Sequence, residues 1–133
     1  MSIALTAQEK TTVRTAAYGA VTLLAWAGPK SAHRMSTDGS LALNAATGPV
    51  GYVLAEKTND VKLDAKSSAA LAEQVLPALS ESVRLLRAQD PAEAENFRTT
   101  VNVALAAAAR AHKGEPGPAL AAMTEKINRA LDA

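Results

Sequence analysis

The stretch from Thr6 to Gly28, TAQEKTTVRTAAYGAVTLLAWAG, opens with a helix-capping pattern. Thr6 is placed to accept a hydrogen bond from the Glu9 amide, and Glu9 to return one to the Thr6 amide, the reciprocal box that starts many helices. With a 100° step, Val13, Ala17, Ala20, Val21, Leu24 and Ala27 then fall on one stripe. Gly28-Pro29 ends the pattern. The spacing therefore predicts a first helix from about Ala7 to Ala27.

The rest of the composition agrees with a helical reading. The chain has 133 residues, the length of one compact domain. Alanine accounts for 31 of them, so the 48% hydrophobic fraction contains few bulky side chains. The aromatic residues are Tyr18, Trp26, Tyr52 and Phe97, and the isoleucines are Ile3 and Ile127. Alanine and leucine favour helices, and scarce β-branched and aromatic residues argue against a sandwich or barrel. The expected fold is all-α: one compact bundle of four long helices plus one or two short ones.

Residues 29–40, PKSAHRMSTDGS, are polar and carry turn signals, and they read as a loop. Ser40 is a cap for a short turn through Ala46. A second start follows at Gly48-Pro49, with proline at the first helical position. Val50, Val53 and Leu54 share a helical face there, although Tyr52-Val53-Leu54 also reads as β. A further helix begins between Asp64 and Ser67 and ends near Ala88, with Leu71, Val75, Leu79, Val83 and Leu86 inward. Pro77 lies inside it, opposite the apolar face, where it is expected to kink or interrupt the helix. Asp90-Pro91-Ala92-Glu93 is a strong start signal, for a helix that continues to Lys113 and stops at Gly114. The last helix starts at Pro118 and turns Leu120, Met123, Ile127 and Leu131 to one side.

Sliding Thr6–Gly28 by 84 positions onto Asp90–His112 matches Glu9 with Glu93, Arg14 with Arg98, Thr15 with Thr99, Ala20 with Ala104, Ala25 with Ala109 and Ala27 with Ala111. The echo suggests a pseudo-twofold internal repeat, to be weighed against two unrelated alanine-rich helices. This duplicated helical look resembles several small bacterial helical families in arrangement alone, which implies no activity.

Charge and motifs mostly exclude. The net charge is +1, from 14 Lys and Arg against 13 Asp and Glu, without the concentrated basic stripe that captures nucleic acid. The uncharged stretch Thr15–Pro29 is shorter than the ~20 apolar residues of a membrane crossing. Lys10 and Arg14 before an apolar run, with Ala25-Trp26-Ala27 before Gly28, imitate a secretory leader. The capping box at Thr6–Glu9 speaks instead for a folded helix, and the expected location is cytoplasmic. With no cysteine there are no disulfides, thiolate ligands or cysteine nucleophiles. The GxSxG, GxxxxGK[ST], GxGxxG, HExxH and EF-hand patterns are missing. No catalytic residue, cofactor or metal ligand is assigned. His112 reads as a partly exposed group near helix C-terminal carbonyls, and His33, with Lys30 and Arg34, as a solvated loop.

One feature of the first helix carries the functional reading. Tyr18 and Trp26 project about 140° and 220° from Val13, on the face opposite the apolar stripe. Three explanations stand: residues 41–57 fold over that face, the face is a self-association surface, or it lines a small-molecule pocket. The candidate interface or ligand contacts are Tyr18, Trp26 and Tyr52. The leading expectation is a non-catalytic helical protein acting through protein association, chiefly with itself. The alternative is a small-molecule-binding protein with a pocket near those three residues.

Overall fold

The computed structural model describes residues 3–28, 31–112 and 117–132. Among these residues six helices pack into a bundle: α1 (Ala7–Trp26), α2 (Ala32–Asn44), α3 (Gly48–Ala55), α4 (Ser68–Gln89), α5 (Pro91–Ala111) and α6 (Pro118–Asp132). Among the described residues no strand forms. The capping box of α1 is complete: Thr6 Oγ1 accepts from the Glu9 amide at 3.1 Å, and Glu9 Oε1 accepts from the Thr6 amide at 2.8 Å. Ser67 caps α4 through the Ala70 amide, and Asp90 caps α5 through the Ala92 amide, with Pro91 in the first turn. Pro77 lies exposed on the outer side of α4, which continues through it as one helix. The expected end of α5 at Lys113-Gly114 lies outside the described residues.

The stretch read as a loop at 29–40 needs correction, because from Ala32 it belongs to α2. The buried positions of α2 are Met35, Gly39 and Leu43, spaced by four residues. Asp38-Gly39 looks like a turn, yet the glycine has no positive φ. It serves close packing: a Cβ there would approach Val21 Cγ1 to 2.5 Å and the Ala104 carbonyl to 3.4 Å. The missing side chain lets α2 lie against α1 and α5 together. The polar residues around this stripe and the Asp38-Gly39 pair imitate turn signals, although the stripe itself buries well.

At the centre of the bundle is α1, which contacts each of the other five helices. Its buried positions include Val13, Ala16, Ala17, Ala20, Leu23 and Leu24, so it is covered on more than one face. Gly19 sits where α1 crosses α4, and a Cβ there would collide with Val75 Cγ2. Interior helices are apolar on several sides, which explains large side chains off the main stripe. Phe97 of α5, Met35 and Leu43 of α2, and Leu79 and Leu86 of α4 complete a shared core. Leu120, Ile127 and Leu131 seat α6, and Ser80 of α4 donates to the Ala130 carbonyl at 2.8 Å.

The packing does not confirm the 84-residue echo: α2 packs on α5 and α1, while α6 packs on α4 and α1 and is tied to α5 by the Arg98–Asp132 ion pair.

Candidate functional site

The C-terminal end of α3 organises the first site. Helix ends leave carbonyls without intrahelical partners, and two side chains of α1, one turn apart, take them up. Tyr18 donates its hydroxyl to the Leu54 carbonyl at 2.7 Å, with Asn44 Oδ1 at 3.3 Å. Arg14 Nη1 donates to the Val53 carbonyl at 3.2 Å. A positive charge at a helix C-terminus also suits the helix dipole. The face of α1 that carries Tyr18 is thus the docking face for α3, and residues 41–57 fold over it. Burial pushes the Tyr18 phenol above its ordinary pKa, partly opposed by the charge of Arg14.

Arg14 is 4% exposed, and its guanidinium also clamps the segment that leaves α3. Nε donates to Asp60 Oδ1 at 3.2 Å and Nη2 to Asp60 Oδ2 at 2.5 Å, the two-pronged geometry that makes Arg–carboxylate pairs strong. Nη1 reaches Glu56 Oε1 at 3.2 Å. Asp60 further accepts from Thr11 Oγ1 at 2.5 Å and from Thr58 Oγ1. Four donors fill the sites a carboxylate offers. The Arg14 guanidinium, then the Thr11 and Thr58 hydroxyls, hold the Asp60 carboxyl well below the usual carboxylate range. Asp60 in turn raises the Arg14 pKa, against the opposing effect of burial. Farther along, Gln74 of α4 receives the Asp64 amide at 2.7 Å and donates to the Lys62 carbonyl at 2.6 Å. Arg14 and Gln74 together fasten residues 56–67 across the bundle.

The other end of α3 is held from α5. Glu93, in the first turn of α5, accepts from the Val50 amide of α3 at 3.1 Å. A carboxylate at a helix N-terminus satisfies a free N–H and complements the dipole. Asn96 donates to the Thr47 carbonyl at 3.0 Å. Gly48 makes the turn into α3 with φ +77°, a left-handed conformation that favours glycine.

The three candidate residues do not converge. Tyr18 borders a hollow of about 340 Å³ with Arg14, Asn44, Leu54, Lys57 and Val61. Tyr52 stands 81% exposed on the outer side of α3, beside a second hollow that includes Thr47, Gly51 and Ala55. Trp26 borders neither and packs half-buried against the core at the end of α1. His33 is exposed. His112 packs against Gly28, and its buried Nδ1 has no hydrogen-bond partner among the described residues. There is likewise no group of three His, Asp or Glu among the described residues arranged to hold a metal ion. No helix among them is long and apolar enough to cross a membrane.

A second surface takes in Tyr52. Among the described residues Leu41 of α2, Tyr52 of α3 and Val103 of α5 are the large apolar side chains left exposed, at 62%, 81% and 53%. Between α2 and α5 lies a hollow of about 250 Å³ bordered by Ala42, Ala45, Ala46, Thr47, Thr99 and Val103. Ala46 and Thr47 belong to this hollow and to the one beside Tyr52, so the two adjoin. The sequence has no charged residue from Gly39 to Ala55 or from Thr99 to Ala109. The first of those runs, 17 residues, is longer than Thr15–Pro29. That run is the signal that locates this surface; attention to aromatic residues on α1 passes over it. Comparison with family models, curated proteins and solved structures returned no match.

Proposed function

We propose that this helical protein acts through association with a second copy of itself, as a binding module and not as a catalyst. The observation that carries the reading is the uncharged surface of α2, α3 and α5 on which Leu41, Tyr52 and Val103 stand exposed. Exposed apolar side chains grouped on a charge-free surface with charges at the edge have the anatomy of an interface. Here the edge is supplied by Glu93 at the start of α3 and Glu56-Lys57 at its end. An aromatic anchor such as Tyr52 is the residue type that dominates interface energetics. Sedimentation equilibrium from low to high micromolar concentration is expected to show a reversible dimer, and Leu41→Lys to weaken it by roughly tenfold or more. A strict monomer throughout that range overturns the reading.

A second reading rests on the hollow of about 340 Å³ beside Tyr18, which falls within the roughly 300–1,000 Å³ of small-molecule sites. Of the charged groups that border it, Glu56 offsets Lys57 and Arg14 is already paired with Asp60, so a neutral, partly apolar ligand suits it. A metabolite that occupies it raises the melting temperature of the wild type and loses that effect in Val61→Trp, which fills the hollow. If no compound in a broad neutral-metabolite screen shifts the melting temperature, the site is not a receptor.

A further inference from the structure

We infer that two copies of the chain meet by reciprocal insertion, the Tyr52 ring of each entering the hollow between α2 and α5 of the other. The inference rests on the self-association reading and specifies its geometry. Tyr52 is the more exposed of the two tyrosines, and the helix that carries it is fixed at both ends. Glu93 and Asn96 hold the start of α3, and Arg14 and Tyr18 hold its finish. A side chain presented on a fixed element loses little further freedom on binding, which is the condition for a strong anchor.

The hollow suits a phenol. Its border is small and apolar where Ala42, Ala45 and Ala46 lie, Val103 forms one edge, and Thr99 brings a hydroxyl. Its volume, about 250 Å³, exceeds the roughly 150 Å³ of an apolar cavity that takes a benzene ring. A buried tyrosine hydroxyl needs a polar partner, and the Thr99 side chain is of the right kind.

Projection and hollow adjoin through Ala46 and Thr47, and this singles out a second copy as the occupant. In a twofold dimer the same patch serves both subunits, so whatever protrudes must find its recess on that same patch. This surface has both. It also bears no charge from Gly39 to Ala55 or from Thr99 to Ala109, so placing it against itself sets no like charges face to face. A basic or acidic partner finds no complementary charge there.

The test is a mixing experiment. Tyr52→Ala removes the projection, and Val103→Arg obstructs the hollow; both residues are exposed, and circular dichroism checks that each variant keeps its helices. Each variant alone is expected to dimerise at least roughly tenfold more weakly than the wild type. In a one-to-one mixture, the Val103→Arg copy still offers Tyr52 and the Tyr52→Ala copy still offers an open hollow. The mixed dimer keeps one insertion and is expected to form more tightly than either variant with itself, read by native mass spectrometry with one copy isotope-labelled. Tyr52→Phe, which keeps the ring, is expected to stay close to the wild type. If the wild type dimerises and the mixture is no tighter than its components, reciprocal insertion is wrong while self-association stands. A monomeric wild type removes both.

Discussion

Arg14→Ala lowers the melting temperature by roughly 8 °C, because losing the packing and hydrogen bonds of this buried side chain costs about 2 kcal/mol. Three losses coincide. The Val53 carbonyl at the end of α3 is left without its donor, a cavity opens beneath residues 56–60, and the carboxylates of Asp60 and Glu56 lose their shared cation. Arg14→Lys recovers only part, since one ammonium cannot reproduce the paired contact with Asp60 while also reaching Val53.

The effect depends on pH in a defined direction. The Asp60 carboxyl is held below its ordinary value in the folded protein, so the stabilisation tied to it is present above the unfolded carboxylate pKa of about 4. It is lost as pH falls from there toward the lowered folded value. The stability gap between wild type and Arg14→Ala is therefore largest near neutrality and narrows in acid. Thermal melts from pH 7 down to pH 2 measure it. A gap of less than a few degrees, or one that does not change with pH, shows that the clamp is not what fastens α3 and the segment after it.

Gly51→Ala displaces α3. A Cβ at this position would run into the carbonyl oxygen of Ala46 and come within 2.6 Å of its carbonyl carbon. Those are backbone atoms at the end of α2, unable to swing aside as a side chain would. The new methyl forces the helix outward, and overpacking of this kind costs about 1–3 kcal/mol. That outweighs the roughly 1 kcal/mol that glycine to alanine gains inside a helix. Tyr18 reports the movement, because its phenol is raised by the burial that α3 supplies. In a Tyr52→Phe background Tyr18 is the remaining tyrosine, and its ultraviolet titration follows one group. The midpoint is expected to fall toward the ordinary value of about 10 in Gly51→Ala. An unchanged midpoint with unchanged stability means that α3 tolerates the methyl, and that its closeness to Ala46 does not set its position.

Much of the fold is legible in the chain because its signals are local. The Thr6–Glu9 box, the caps at Ser67 and Asp90, the outward Pro77 and the spacing of Leu71, Val75 and Leu79 each involve residues within a few turns of one another. Helix α2 escapes such reading because its buried stripe is Met35, Gly39 and Leu43. Its middle member contributes by having no side chain. The Arg14–Asp60 clamp joins positions 46 apart, and nothing near either residue announces the other. Tyr18 and Trp26 stand out by residue type, yet what covers Tyr18 follows from how α3 docks. The exposed surface around Tyr52 was within reach, since the uncharged run Gly39–Ala55 is written in the sequence.

The central position of α1 also bears on how the chain is made. Of the six helices, α1 leaves the ribosome first, and its neighbours include α6, the last. At roughly 5–20 residues per second, the intervening chain takes on the order of ten seconds to appear. Throughout that interval part of an alanine- and leucine-rich helix waits for the surface that will cover it. Of the six helices α1 therefore waits longest for its last neighbour, and it must be shielded from neighbouring chains until the bundle closes.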